Sequence, residues 1–229
     1  MEVLRILVLV FAGFVGSFAQ QDLQRTSFVF PVESDSAAVV VKAVIPHPLT
    51  SFTVCLRYYT LLTRPVTFFS YATKHTDNDI ILFKEKPNEY RVYVGNAYVT
   101  FTIPNRPANI PAWEHLCASW ESATGLVTLW VDGKPLPRLG LQKGYSISND
   151  ASIVLGQDQD STLGGYEANE SFVGELMDVN MWARVLTPDE VCLAFSGCNL
   201  SDYLINWRAF RYDIQGYVVL QPYLGQCPR

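Results

Sequence analysis

The chain is poor in the residues that carry most acid–base and transition-metal chemistry. It has three histidines, His47, His75 and His115, among 229 residues. They suggest no catalytic triad, and no nucleophile elbow or phosphate-cradling glycine loop is visible. Positive charge is also scarce. Seventeen Lys and Arg against twenty-two Asp and Glu leave a formal charge of −5. That balance argues against holding nucleic acid through its phosphates, and against a general attraction to anionic membranes. If the protein meets phosphate groups, a bridging cation is needed. Beyond the first residues, no apolar run approaches the roughly 20 residues of a spanning helix. There is no internal repeat and no low-complexity linker, so one domain is expected.

The N-terminus has the order of a secretory signal. Met1-Glu2-Val3-Leu4-Arg5 precedes an apolar run over 6–15, then Gly16-Ser17-Phe18-Ala19. A basic residue, a short apolar core and small residues at the cleavage point predict a signal peptide over 1–19. The remaining 20–229 would be exported and extracellular. Export favours disulfides among Cys55, Cys117, Cys192, Cys198 and Cys227. The odd count leaves one thiol for capping, for a link between subunits, or free. Asn169-Glu170-Ser171 and Asn199-Leu200-Ser201 are glycosylation sequons, and Asn199 is the easier site.

Short runs rich in Val, Ile, Phe and Tyr recur at strand-like intervals. They cover 28–32, 38–45, 52–59, 67–72, 80–83, 90–94, 98–103, 115–120, 126–131, 153–155, 172–182 and 216–221. Asp132-Gly133 is a hairpin signal. The pattern predicts an all-β, two-sheet sandwich. One helix is marked by Thr187 as N-cap, Pro188 as first residue, Glu190 completing a capping box, and Gly197 as stop. Val191, Ala194 and Phe195 share a side and should pack on a sheet face.

The stretch from Gly156 to Ser171 holds four carboxylates, Asp158, Asp160, Glu167 and Glu170, with Gly164-Gly165 between the pairs. Like charges this close repel unless a cation sits among them. Oxygen donors without His or Cys suit a hard cation such as calcium, not zinc or copper. A solvated acidic loop is the plainer alternative.

His115-Leu116-Cys117-Ala118-Ser119-Trp120 fits the signature His-x-Cys-x-Ser/Thr-Trp. It is followed by Trp130-Val131-Asp132-Gly133-Lys134-Pro135, Lys143-Gly144-Tyr145, Leu155-Gly156-Gln157, Val173-Gly174-Glu175, Met181-Trp182 and Asn206-Trp207-Arg208-Ala209. In order and spacing this resembles the short pentraxins, over nearly the whole exported chain. The resemblance implies a lectin-like jelly roll with one helix on one face. It implies a homopentameric ring, with a decamer or a disulfide-linked assembly as alternatives. It also implies two calcium ions per subunit on the face opposite the helix, and complement and Fc receptors as partners of the helix face. The ligands implied are phosphorylated head groups or acidic carbohydrates on microbial or damaged-cell surfaces, bound in innate immunity.

Carried over residue by residue, Cys55 and Cys117 match the family's disulfide. In the chain-entropy model such a bridge contributes roughly 4 kcal/mol. For the other three cysteines, a Cys198–Cys227 pair and a link between subunits both stay open. Asp77 and Asn78 match an Asp-Asn pair at the first calcium, joined by Asp158, the Gln159 carbonyl and Asp160. The second ion would share Asp158 and Asp160 and add Glu167 and Glu170. Asp158 and Glu170 depart from the family's usual Glu and Gln. Phe83 matches the aromatic wall of the ligand pocket. Tyr93 stands where phosphocholine-binding members have a small residue, and Tyr98 where they have an acid. Phosphoethanolamine and acidic or phosphorylated sugars are therefore the expected ligands, with phosphocholine as runner-up. Cation–π contact from Tyr98 is expected to replace part of the missing carboxylate. A jelly-roll glycoside hydrolase using Glu167 and Asp160 is the enzymatic alternative.

Overall fold

The computed structural model describes residues 21–104 and 112–225. The expected signal peptide over 1–19 and Cys227 lie outside the described residues. In chain order the elements are β1 (Thr26–Phe30), β2 (Ala38–Val41), β3 (Ser51–Tyr59), β4 (Val66–Ala72), β5 (Ile80–Lys86), β6 (Glu89–Val94) and β7 (Ala97–Thr102). Then follow β8 (Glu114–Glu121), β9 (Leu126–Val131), β10 (Lys134–Pro135), β11 (Leu139–Gly140), β12 (Ser152–Leu155) and β13 (Gly174–Trp182). After these come the helix α1 (Pro188–Phe195), β14 (Tyr203–Ile205), β15 (Tyr212–Gln215) and β16 (Val219–Pro222). Each of the twelve expected runs overlaps a strand. The short strands β10, β11, β14 and β15 were not legible, because two to four residues carry too little pattern.

The strands form two antiparallel sheets, as a jelly roll requires. One is ordered β10-β9-β8-β3-β13-β1-β16, with β11 and β14 attached. The other is ordered β15-β2-β12-β4-β5-β6-β7. Alternation sets which side chains enter the space between them. In β6, Tyr90, Val92 and Val94 are buried while Glu89, Arg91 and Tyr93 face outwards, half-buried. Stacked and edge-on aromatic rings fill the core, including Tyr58 on Phe68 at 4.3 Å and Phe28 against Trp207 at 5.5 Å.

The outer faces of the two sheets carry different cover. On the first, α1 buries Val191 against Trp130, Trp182, Leu186 and the Cys55–Cys117 disulfide. Those cysteines oppose each other directly across β3 and β8 and close a separation of 62 residues. The capping box forms: Thr187 accepts from the Glu190 N–H, and the Glu190 carboxylate accepts from the Thr187 N–H. Phe195 is less enclosed than expected. It remains 37% exposed at the helix end, where its ring meets His115 and the Arg57 guanidinium. Over the second sheet folds the acidic segment between β12 and β13. It lays Tyr166 on Ala38, Val40 and Val154. Helix and acidic segment therefore lie on opposite faces of the sandwich.

Candidate cation and ligand site

The acidic segment leaves β12 through Gly156. Its φ is +83°, and a Cβ there would stand 2.4 Å from the Phe30 ring, so only glycine fits. Two buried glutamines then anchor the chain. Gln157 donates to the carbonyls of Ser34 and Ala37 at 2.7 and 3.0 Å. Gln159 donates to the Ser70 carbonyl and hydroxyl and to the Ser152 carbonyl, each at 3.2 Å. Its Oε1 accepts from Ser152 Oγ at 2.7 Å and from Leu163 N–H at 3.0 Å. The Gln159 side chain is thus committed to the scaffold, and its main-chain carbonyl is the part left for a cation. At the turn, Gly165 has φ +74°, and a Cβ there would stand 2.6 Å from that of Asp160.

A second loop, between β4 and β5, supplies Asp77 and Asn78. It is tied to the β6–β7 turn: Asn96 N–H donates to the Asn78 carbonyl at 3.0 Å, and Gly95 N–H to the Asp79 carbonyl at 3.2 Å. Asp79 was not singled out in the sequence. It is buried and its carboxylate is fully used, accepting from Tyr145 Oη at 2.6 Å and Thr73 Oγ1 at 2.9 Å. It positions Asp77 and Asn78. Tyr145 is 66 residues away, so no local motif could have shown this.

The two loops meet. Asp158 is pushed up to about 7, first by burial and then by the charges of Glu170, Asp160 and Asp77. Asp160 is raised by burial and by Glu167 and Asp77. Glu170 is raised by burial and by Glu167, Asp160 and Glu85. Five carboxylates from two distant segments therefore share one field. Among the described residues, none of the five pairs with a lysine or arginine. Beside them, Asn78 Oδ1 is buried without a hydrogen-bond partner. An orphaned amide oxygen among clustered carboxylates is costly unless a cation takes it up. This all-oxygen donor set fits a calcium-type ion.

Arg64, also missed, braces the segment. Its Nη1 donates to the Asn169 and Ser171 carbonyls at 2.9 and 2.8 Å, on either side of Glu170, while Nη2 pairs with Glu33 at 3.0 Å. Asn169 itself is exposed, as is Asn199 just beyond the helix.

Phe83, Tyr93 and Tyr98 lie on the same outer surface. Phe83 is 5% exposed and its ring stands 6.3 Å from Tyr93, whose ring is 4.9 Å from Tyr98. Burial, and then Asp158 among the nearby charges, raises the Tyr93 hydroxyl, so the aromatic patch adjoins the acid cluster. The Tyr98 ring already has a cation: Arg91 lies 4.8 Å from its centroid and pairs with Glu85 at 2.9 Å. Arg91 and Glu85 were absent from the expected site. Their alternation with Tyr93 and Phe83 on adjacent strands was the available signal.

On the opposite face, His115 Nε2 lies 3.7 Å from Cys117 Sγ, but that sulfur is in the disulfide and offers no thiolate to a metal. Cys192 and Cys198 are exposed free thiols. Among the described residues no helix is long and apolar enough to cross a membrane.

Comparison with known proteins gives concordant matches. The family model described as the Pentaxin family matches residues 26–222. A C-reactive protein of Sus scrofa is 45% identical over 224 residues, covering 98% of this chain and 99% of that protein. A serum amyloid P-component of Cavia porcellus is 42% identical over 222 residues, covering 97% and 98%. The solved structure of a native heptameric SAP-like pentraxin from Limulus polyphemus superposes with a TM-score of 0.80 at 24% identity, covering 88% of this chain and 97% of that one.

Proposed function

The chain belongs to the pentaxin family, and from that premise we propose that it is a secreted, calcium-dependent receptor for phosphorylated and acidic ligands. The family comprises recognition proteins without enzymatic activity, which removes the glycoside-hydrolase alternative. The reading rests above all on the five converging carboxylates with the orphaned Asn78 Oδ1 at their edge. Asp77, Asn78, Asp158, the Gln159 carbonyl and Asp160 would hold one calcium. Asp158, Asp160, Glu167 and Glu170 would hold the other. Bound calcium supplies the positive charge that a net-acidic protein needs to accept a phosphate or carboxylate.

Asp158 is one methylene shorter than glutamate, so its segment must approach the ions closely; the anchoring of Gln157 and Gln159 on either side of it supports that approach. Glu170 adds a fifth carboxylate against four positive charges, which strengthens hold on the second ion and lowers the site's attraction for a dianion. Tyr93 and Phe83 narrow the space beside the ions, favouring phosphoethanolamine and acidic or phosphorylated sugars over phosphocholine. The assembly is a ring, with five subunits as the leading count, and the exposed Cys192 and Cys198 are available for links between subunits. The helix face, bearing the Asn199 glycan, is assigned to complement and Fc-receptor partners.

Retention of the full assembly on immobilised phosphoethanolamine tests the reading. Binding in calcium, release by a chelator and weaker retention on phosphocholine are expected. Equal retention with and without calcium, or strong preference for phosphocholine, would count against it. Native mass with and without reductant reads the subunit number and any inter-subunit bridge.

A further inference from the structure

A ligand ammonium is held by an aromatic face and a carboxylate. Both lie beside the acid cluster, and both are occupied from within. Tyr98 offers an outward ring, and Arg91 covers it at 4.8 Å. Glu85 offers a carboxylate, and the Arg91 Nη1 bonds it at 2.9 Å. Register enforces the arrangement: Arg91 stands opposite Phe83 across β5–β6, and Tyr93 opposite Tyr98 across β6–β7. Arg91 is thus held between the Tyr98 ring and the Glu85 carboxylate, with only 24% of its side chain exposed, and Glu85 with 22%. Glu85 is close enough to the second ion's ligands for its charge to act on Glu170, after burial, Glu167 and Asp160.

We infer that Arg91 is a specificity-determining residue that fills the protein's own ammonium site, so that phosphate esters with uncharged or anionic tails bind better than those bearing an amine. The inference rests on the calcium reading above and deepens it. A guanidinium set over a ring and bonded to a carboxylate from within the fold is held more firmly than a mobile ligand cation. To enter, a choline must displace it and bring its own charge beside the freed guanidinium, which repels it.

The test is a gain of binding, which misfolding does not mimic. Glucose 6-phosphate, phosphoethanolamine and phosphocholine are titrated into the full assembly at saturating calcium. The unaltered protein should bind glucose 6-phosphate most tightly. Arg91→Ser should raise phosphocholine affinity about tenfold, the scale of a desolvated cation–π contact with an ion pair, and leave glucose 6-phosphate unchanged. Arg91→Ser with Glu85→Gln should remove most of that gain, because the freed carboxylate is gone. Unchanged phosphocholine affinity in Arg91→Ser overturns the inference. So does a gain that survives Glu85→Gln, which would assign the effect to bulk alone, or an unaltered protein that already prefers phosphocholine. If the unaltered protein binds none of the three in calcium, the calcium reading fails as well.

Discussion

His115 sits in the signature strand, buried beneath Phe195 and beside the disulfide. Burial, with the nearby Arg57 charge, pushes its imidazole down to about 3. The folded protein keeps this side chain neutral, whereas the unfolded chain protonates near 6.5. Its contribution is therefore complete above the unfolded value and is lost as pH falls towards 3. At pH 5 the loss is about 2 kcal/mol. Urea denaturation in saturating calcium should show stability falling between pH 7 and 5, and His115→Gln should flatten that slope. An unchanged slope in the variant would show that other groups control it. Gln159 teaches a related lesson at the same scale. It is flanked by two candidate ligands, yet its side chain belongs to the scaffold and only its carbonyl is left for the site.

The acidic segment and α1 are elements of opposite legibility. Thr187, Pro188, Glu190 and Gly197 act within a few residues of one another, so the helix could be read directly, and the capping box forms as expected. The four carboxylates of the acidic segment were equally visible, but what holds the segment in shape was not. Arg64 grips it from 105 and 107 residues away, through main-chain carbonyls that carry no side-chain identity. Arg64→Ala should leave the sandwich intact and weaken calcium binding roughly tenfold, because the two carbonyls flanking Glu170 lose their charge-assisted bonds and part of that loss, about 1.4 kcal/mol, falls on the ion-bound state. Calcium titration by calorimetry, with circular dichroism as the check on fold, measures this. Full calcium affinity in the variant would reduce Arg64 to a surface tether.

At the scale of the molecule, two sheets hold two unlike faces apart, and calcium should matter to only one. Without the ions, the segment over 158–170 carries self-repelling charge with no internal cation, while the β3–β8 disulfide and the helix stay as they are. Chelation should therefore expose this segment to proteolysis and lower the melting temperature, with cleavage confined there and reversed by calcium. Limited proteolysis followed by mass analysis locates the cuts. Cleavage first at α1, or no effect of chelation, would contradict the assignment of the ions to this face.

By itself, the sequence determined whatever depends on neighbours along the chain. Strand alternation, the capping box, the glycines at 156 and 165 and the acidic stretch between them all follow from periodicity, backbone freedom and charge over a few positions. Asp77 and Asn78 could be assigned to that stretch only through family resemblance. The tertiary structure decided which distant groups meet. It set Asp77 in the field of Asp158, locked Asp79 with Tyr145, braced Glu170 with Arg64, and laid Arg91 across Tyr98. The physical reason is that these contacts depend on sheet register and on how loops fold back over a sheet face, and a local pattern encodes neither.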